Sequence, residues 1–116
     1  MLPQHVREEG GYHRKGKSEE EAARLLQAAS DLQTAGCCAI VLELVEPSLS
    51  NAISKKLDIP TIGIGSGTGC DGQILVTSDL LGLQPWFRPS FVTPKAELAT
   101  SIQKAVSEFI SEVKER

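Results

Sequence analysis

Apolar positions along the chain change their spacing several times, and each change marks a different kind of element. From Ser18 onward Ala22, Leu25, Leu26, Ala29 and Leu32 recur at helical spacing, which predicts one helix over 18–35. Ser18 with Glu21 three residues on makes a capping box, Glu19 and Glu20 suit the positive end of the helix dipole, and Gly36 stands where a left-handed C-cap belongs. The next run, from Cys37 to Glu43, is apolar at successive positions until the final carboxylate, as expected of a buried parallel strand over 37–43. Helical spacing returns with Leu49, Ala52, Ile53 and Leu57, opened by Pro47, and predicts a helix over 47–57. A second short strand follows over 59–64, with Pro60 at its start, where a missing N–H is tolerated.

The flanks have weaker patterns. Residues 1–17 mix Gly10, Gly11 and Gly16 with His5, Arg7, His13, Arg14, Lys15 and Lys17 and read as loop. Residues 65–93 are loop-rich, with a brief apolar turn or helix between Gln73 and Gly82 and a packed irregular segment in which Trp86, Phe87 and Phe91 serve as core. The last helix, over 94–115, is expected to be capped by Thr93 and begun by Pro94, with Ala96, Ala99, Ile102, Val106, Phe109, Ile110 and Val113 on one face.

Strands alternating with helices imply an α/β fold with a parallel sheet and right-handed crossovers. A ribbon of two clear strands leaves long unpaired edges. The sheet is therefore expected to be completed by residues outside this sequence or by another chain.

Composition narrows the function without naming it. The chain has 116 residues, enough for one domain, and 41% of them are hydrophobic, enough for a packed core. A formal net charge of −3 gives no attraction to nucleic acid or to anionic lipid. Cys37, Cys38 and Cys70 are an odd number without C-x-x-C spacing, so they read as reduced, small apolar groups rather than disulfides or zinc ligands. No signal-peptide core and no long apolar span is found. The cytoplasm is the expected compartment.

Candidate chemistry collects at strand ends. Reactive groups of β/α barrels sit just beyond the carboxyl ends of the strands, and Glu43 occupies that place. A carboxylate partly withdrawn from water suits a general base, although the same position also suits an ion pair. The glycine-rich loop after the second strand offers Gly65, Ser66, Gly67 and Asp71 as substrate-contact candidates, with backbone N–H groups able to hold an anion; a plain connecting loop is the other reading. Gly67 to Gly72 match GxGxxG, but no acidic residue follows at ribose-binding distance and no P-loop lysine is present, so dinucleotide binding is set aside. Arg14, Lys15 and Lys17 beside Tyr12 either engage a carboxylate or form solvated surface.

In order and spacing, GGYHRKGK, AGCCAIVLELV, IPTIGIGSG, CDGQILVTSDLLG and PWFRPSF resemble the ketopantoate hydroxymethyltransferase family over nearly the whole chain. The resemblance implies part of a (β/α)8 barrel of the phosphoenolpyruvate type, about three strands and the closing helix. It further implies transfer of a one-carbon unit from 5,10-methylenetetrahydrofolate to α-ketoisovalerate, with a divalent metal such as Mg2+ and a homo-oligomeric assembly. Glu43, the glutamate of the VLE motif, takes the role of general base by this resemblance, removing the C3 proton of a metal-chelated keto acid. The family's metal ligands and keto-acid contacts lie in an upstream half that this sequence lacks, so no metal ligand is expected in this chain. His13 replaces a lysine that usually follows GGY, and Arg14-Lys15 replaces a less basic pair. Two functions stay open: a section of the enzyme completed by the missing N-terminal half, or a non-catalytic remnant or partner-binding half-barrel.

Overall fold

The computed structural model describes residues 7, 8 and 10–115. The rest of the N-terminal loop, His5 included, and the last residue lie outside the described residues. The chain divides into two compact units, Met1–Ile74 and Leu75–Arg116.

In the first unit, helix α1 spans Glu19–Thr34, and the Ser18 hydroxyl accepts from the Glu21 N–H at 3.2 Å. The capping box closes differently from the expected form: Glu21 accepts from the Gly16 N–H at 2.7 Å, so it ties the preceding loop to the helix. At the other end Gly36, at φ +96°, donates to Gln33 while Cys37 donates to the Leu32 carbonyl, the paired bonds of a Schellman motif.

This cap also shortens the strand. With its N–H spent on α1, Cys37 cannot join the sheet, and strand β1 runs only over Ile40–Glu43. Cys37 is half-buried and Cys38 exposed, which corrects their placement in a buried strand.

Helix α2, Pro47–Lys56, follows with Glu46 at its N-cap. Leu49 and Ile53 are buried as the spacing predicts, but Ala52 is exposed and Ser50 takes the inner position. The Ser50 hydroxyl bonds the Glu46 carbonyl at 3.1 Å, so burying it leaves no unpaired polar group. Strands β2 (Thr61–Ile64) and β3 (Gly72–Gln73) complete a parallel sheet in the order β1-β2-β3.

The register pairs Ile40 with Thr61 and Glu43 with Ile64. Ile40 and Leu42 point into a core shared with Ala29 of α1 and Leu49 and Ile53 of α2. Side chains alternate along a strand, so both helices cover one face, whereas Val41 on the other is 57% exposed. The helices thus cover one face of the strand and leave the other bare.

The connection 65–71 is shorter than the crossover a parallel pair ordinarily needs. It manages this as a strap laid against α2. A Cβ at Gly67 would come 2.7 Å from Pro47 Cβ, and one at Gly69 would come 2.7 Å from Asn51 Cβ. Only glycine permits so close an approach.

The second unit holds α3, Thr77–Leu80, and α4, Leu98–Lys114. Thr93 and Pro94 do not start the last helix. Lys95 donates to Leu80, and the first-turn N–H groups of Leu98 and Ala99 donate to Leu81 and Gly82. Carbonyls of the α3 turn thus do the work of a side-chain cap. The apolar face of α4 is exposed along its length, and Trp86 and Phe87 are 81% and 50% exposed, which corrects their assignment to the core. Arg88 Nη2 donates to both carboxylate oxygens of Glu97, at 2.9 and 3.0 Å. No described helix is long and apolar enough to cross a membrane.

Beyond β2 on one side, β1 pairs with no other strand along its length among the described residues. With that edge open and Val41 exposed beside it, the isolated chain is expected to self-associate; a monodisperse monomer in sedimentation velocity would contradict this.

Candidate active site

Glu43 ends β1 with the sheet's bare face on its side, because it shares the alternation of exposed Val41 rather than that of buried Ile40 and Leu42. The chain then turns abruptly. Leu44 has φ +51°, the only described non-glycine residue with positive φ, and a branched side chain in that region costs about 1 kcal/mol or more. Leu44 is nevertheless buried, and the strain is held in place by bonds on every side.

The first restraint is the GGYHRKGK loop. Lys15 forms a parallel bridge with Val45, its N–H donating to the Leu44 carbonyl at 2.8 Å while its carbonyl accepts from Glu46 N–H at 2.8 Å. Arg14 adds a side-chain clamp: Nη1 donates to the Val45 and Gly65 carbonyls at 3.1 and 3.0 Å, joining the segments that leave β1 and β2. Its Nε lies 4.0 Å from the Glu46 carboxylate, a long, half-exposed pair worth well under 1 kcal/mol. Arg14 is therefore a structural tie, not solvated surface.

The second restraint is Ser66, 0% exposed. Its hydroxyl accepts from the Val45 N–H at 3.0 Å and donates to the Leu42 carbonyl at 2.7 Å. Gly65 and Gly67 on either side take positive φ, +65° and +78°, which lets the serine fold inward.

Asp71 lies elsewhere. Its carboxylate accepts from the Thr61 N–H at 2.8 Å and the Thr61 hydroxyl at 2.9 Å, at the amino end of β2, opposite the end that carries Glu43. Of the loop candidates, Gly65 and Ser66 gather at the carboxyl ends with Glu43, Gly67 packs on Pro47, and Asp71 anchors the foot of the strap. The Thr61 backbone and hydroxyl bonds hold the Asp71 carboxyl below its ordinary 3.8.

A carboxyl lowered by folding stabilises the fold above its unfolded value and ceases to as pH falls through the folded one. The urea midpoint is thus expected to be flat above about pH 4 and to drop below it, and Asp71→Asn is expected to flatten that drop. An unchanged acid limb in the variant would remove Asp71 from the account.

A cavity of about 640 Å³ opens along the unpaired edge of β1, floored by apolar side chains such as Leu25, Ala29 and Val41 and rimmed by Lys15, Arg24 and Glu43. Among the described residues no three His, Cys, Asp or Glu side chains converge as a set able to hold a metal ion. The spacing reading overlooked the Arg14 clamp and the Leu44 turn. Arg14 carried only the signal of a lone basic cluster, and nothing in VLELV announces a left-handed leucine.

The sequence profile of ketopantoate hydroxymethyltransferase matches residues 1–116. The chain belongs to that family. Among its relatives are the 3-methyl-2-oxobutanoate hydroxymethyltransferases of Thermotoga sp. (strain RQ2), 50% identical over 115 residues, and of Anaeromyxobacter sp. (strain Fw109-5), 48% identical over 116. That of Enterococcus faecalis is 47% identical over 115 residues. These matches cover 99–100% of this chain but 43%, 38% and 42% of the respective relatives. The chain thus spans about two-fifths of their length and corresponds to their C-terminal part.

Proposed function

We propose that this chain carries the general base of a hydroxymethyl transfer from 5,10-methylenetetrahydrofolate to α-ketoisovalerate, within a (β/α)8 barrel whose remaining strands come from the portion its relatives carry ahead of it. The observation that carries this is the position of Glu43, at the carboxyl end of a parallel strand and on the face the helices leave bare, where a barrel directs its chemistry inward. The open edge of β1 and the apolar cavity along it are where the preceding strand and helix of such a barrel would pack.

In this reading a Glu43 carboxylate oxygen takes the proton from C3 of the keto acid, and the electron pair released forms the enolate. C3 then bonds the one-carbon unit, both carbon–nitrogen bonds to folate break, water supplies the new hydroxyl, and the proton taken by Glu43 and one from water end on the two folate nitrogens as tetrahydrofolate leaves. A divalent ion does not fit the described residues of this chain, since no donor set converges near Glu43. Its ligands are therefore assigned to the portion of the relatives outside this chain.

The test joins this chain, or co-expresses it, with the N-terminal portion of a relative and assays ketopantoate formation. Turnover is expected from the combination and none from the purified chain alone. Turnover by the chain alone would overturn the incomplete-barrel reading, and a folded but inert combination would favour a non-catalytic half-barrel.

A further inference from the structure

Glu43 and Leu44 are bracketed by one side chain. The Ser66 hydroxyl donates to the carbonyl of Leu42, immediately before the pair, and accepts from the N–H of Val45, immediately after it. It lies 3.4 Å from the Ile64 carbonyl as well, so all of its hydrogen bonds are made within the ends of β1 and β2. Fully buried, it has no access to a substrate. The backbone it grips is the strained one, Leu44 at φ +51°, and such conformations persist only where surroundings over-determine them.

We infer that Ser66 is a positioning residue for Glu43, its buried hydroxyl holding the Glu43–Leu44 turn in the left-handed geometry that aims the carboxylate into the barrel. This rests on the reading of Glu43 as the base. Arg14, Lys15 and Ser66 divide the work. Arg14 ties the Val45 and Gly65 carbonyls, and Lys15 holds the Leu44 carbonyl and the Glu46 N–H, so neither reaches the backbone before the turn. Ser66 spans it. Without the hydroxyl, Val45 N–H is left buried and unpaired, and the turn can escape that cost by relaxing Leu44 toward negative φ. Such a change would swing the end of β1 and carry Glu43 off its line to the substrate carbon.

The experiment uses this chain joined to the N-terminal portion of a relative and compares Ser66→Ala, Ser66→Cys, Glu43→Gln and the Glu43→Gln/Ser66→Ala double variant. Ser66→Ala is expected to lower kcat by roughly 10- to 100-fold, the scale of a small misplacement of a reacting group, with the KM for keto acid nearly unchanged. Ser66→Cys, similar in size but a weaker hydrogen-bonding group, is expected to lose less, and it carries the test should the alanine variant fail to fold. In the Glu43→Gln background the serine change should cost nothing further, since residues acting as a unit are not additive. Backbone NMR of Leu44 in the Ser66 variants should show departure from positive φ.

Full additivity of the two changes, or an unaltered kcat in a folded Ser66 variant, would overturn the positioning role while leaving Glu43 as base. An unaltered rate in Glu43→Gln would instead remove the base reading itself, so the two failures are separable.

Discussion

Glu43→Gln, in this chain joined to the N-terminal portion of a relative, is expected to lower the rate of ketopantoate formation by ~10²-fold or more with no change in the thermal unfolding midpoint. General bases contribute roughly 10²- to 10⁴-fold, and glutamine keeps the shape of the side chain while removing its capacity to take a proton. Stability should be spared because Glu43 sits on the bare face of the sheet, outside the core that Ile40 and Leu42 share with the helices. Steady-state kinetics beside a melting curve checks both halves. A normal rate in the folded variant would take Glu43 out of the mechanism.

Ile53→Ala is expected to destabilise the first unit by about 2–5 kcal/mol, the usual range for emptying a core aliphatic site. Ile53 is 1% exposed and packs among Ala29, Ile40, Leu42, Val45 and Leu49, so it touches both helices and β1, and none of these can close the gap without losing contacts elsewhere. Its helical neighbour Ala52 is the control: exposed in the structure, it should tolerate Ala52→Ser within about 0.5 kcal/mol. Urea unfolding of the two variants measures the contrast. Equal losses would mean that α2 presents a different face to the sheet.

That control also shows which features were legible from spacing. The ends of α1 were, because caps are local: Ser18 and Gly36 act within a few residues of where they stand. The start of α4 was not, because Thr93 and Pro94 give a sound local signal that is outcompeted by carbonyls of Leu80, Leu81 and Gly82, partners no local pattern reveals. Glu43 was readable at its strand end since polarity there interrupts an apolar run. Asp71 looked equally eligible in the same glycine-rich loop, yet its place depends on the strap turning back to the amino end of β2, a matter of topology rather than pattern. Ser66 was singled out for contact with substrate, and the sequence could not show that its hydroxyl is turned inward, since that depends on two flanking glycines whose φ values appear only in the fold.

The strap laid from Gly65 to Asp71 has a further consequence for how this stretch tolerates changes in length. Pressed on Pro47 and Asn51 and fastened to Thr61, it has no slack, so it works as a ruler between two neighbouring strands. Adding or removing a residue there cannot bulge harmlessly into solvent, as in most surface connections. It must shift Gly72 and Gln73 against Ile62 and Gly63, turning inward-facing positions outward along the adjoining strand.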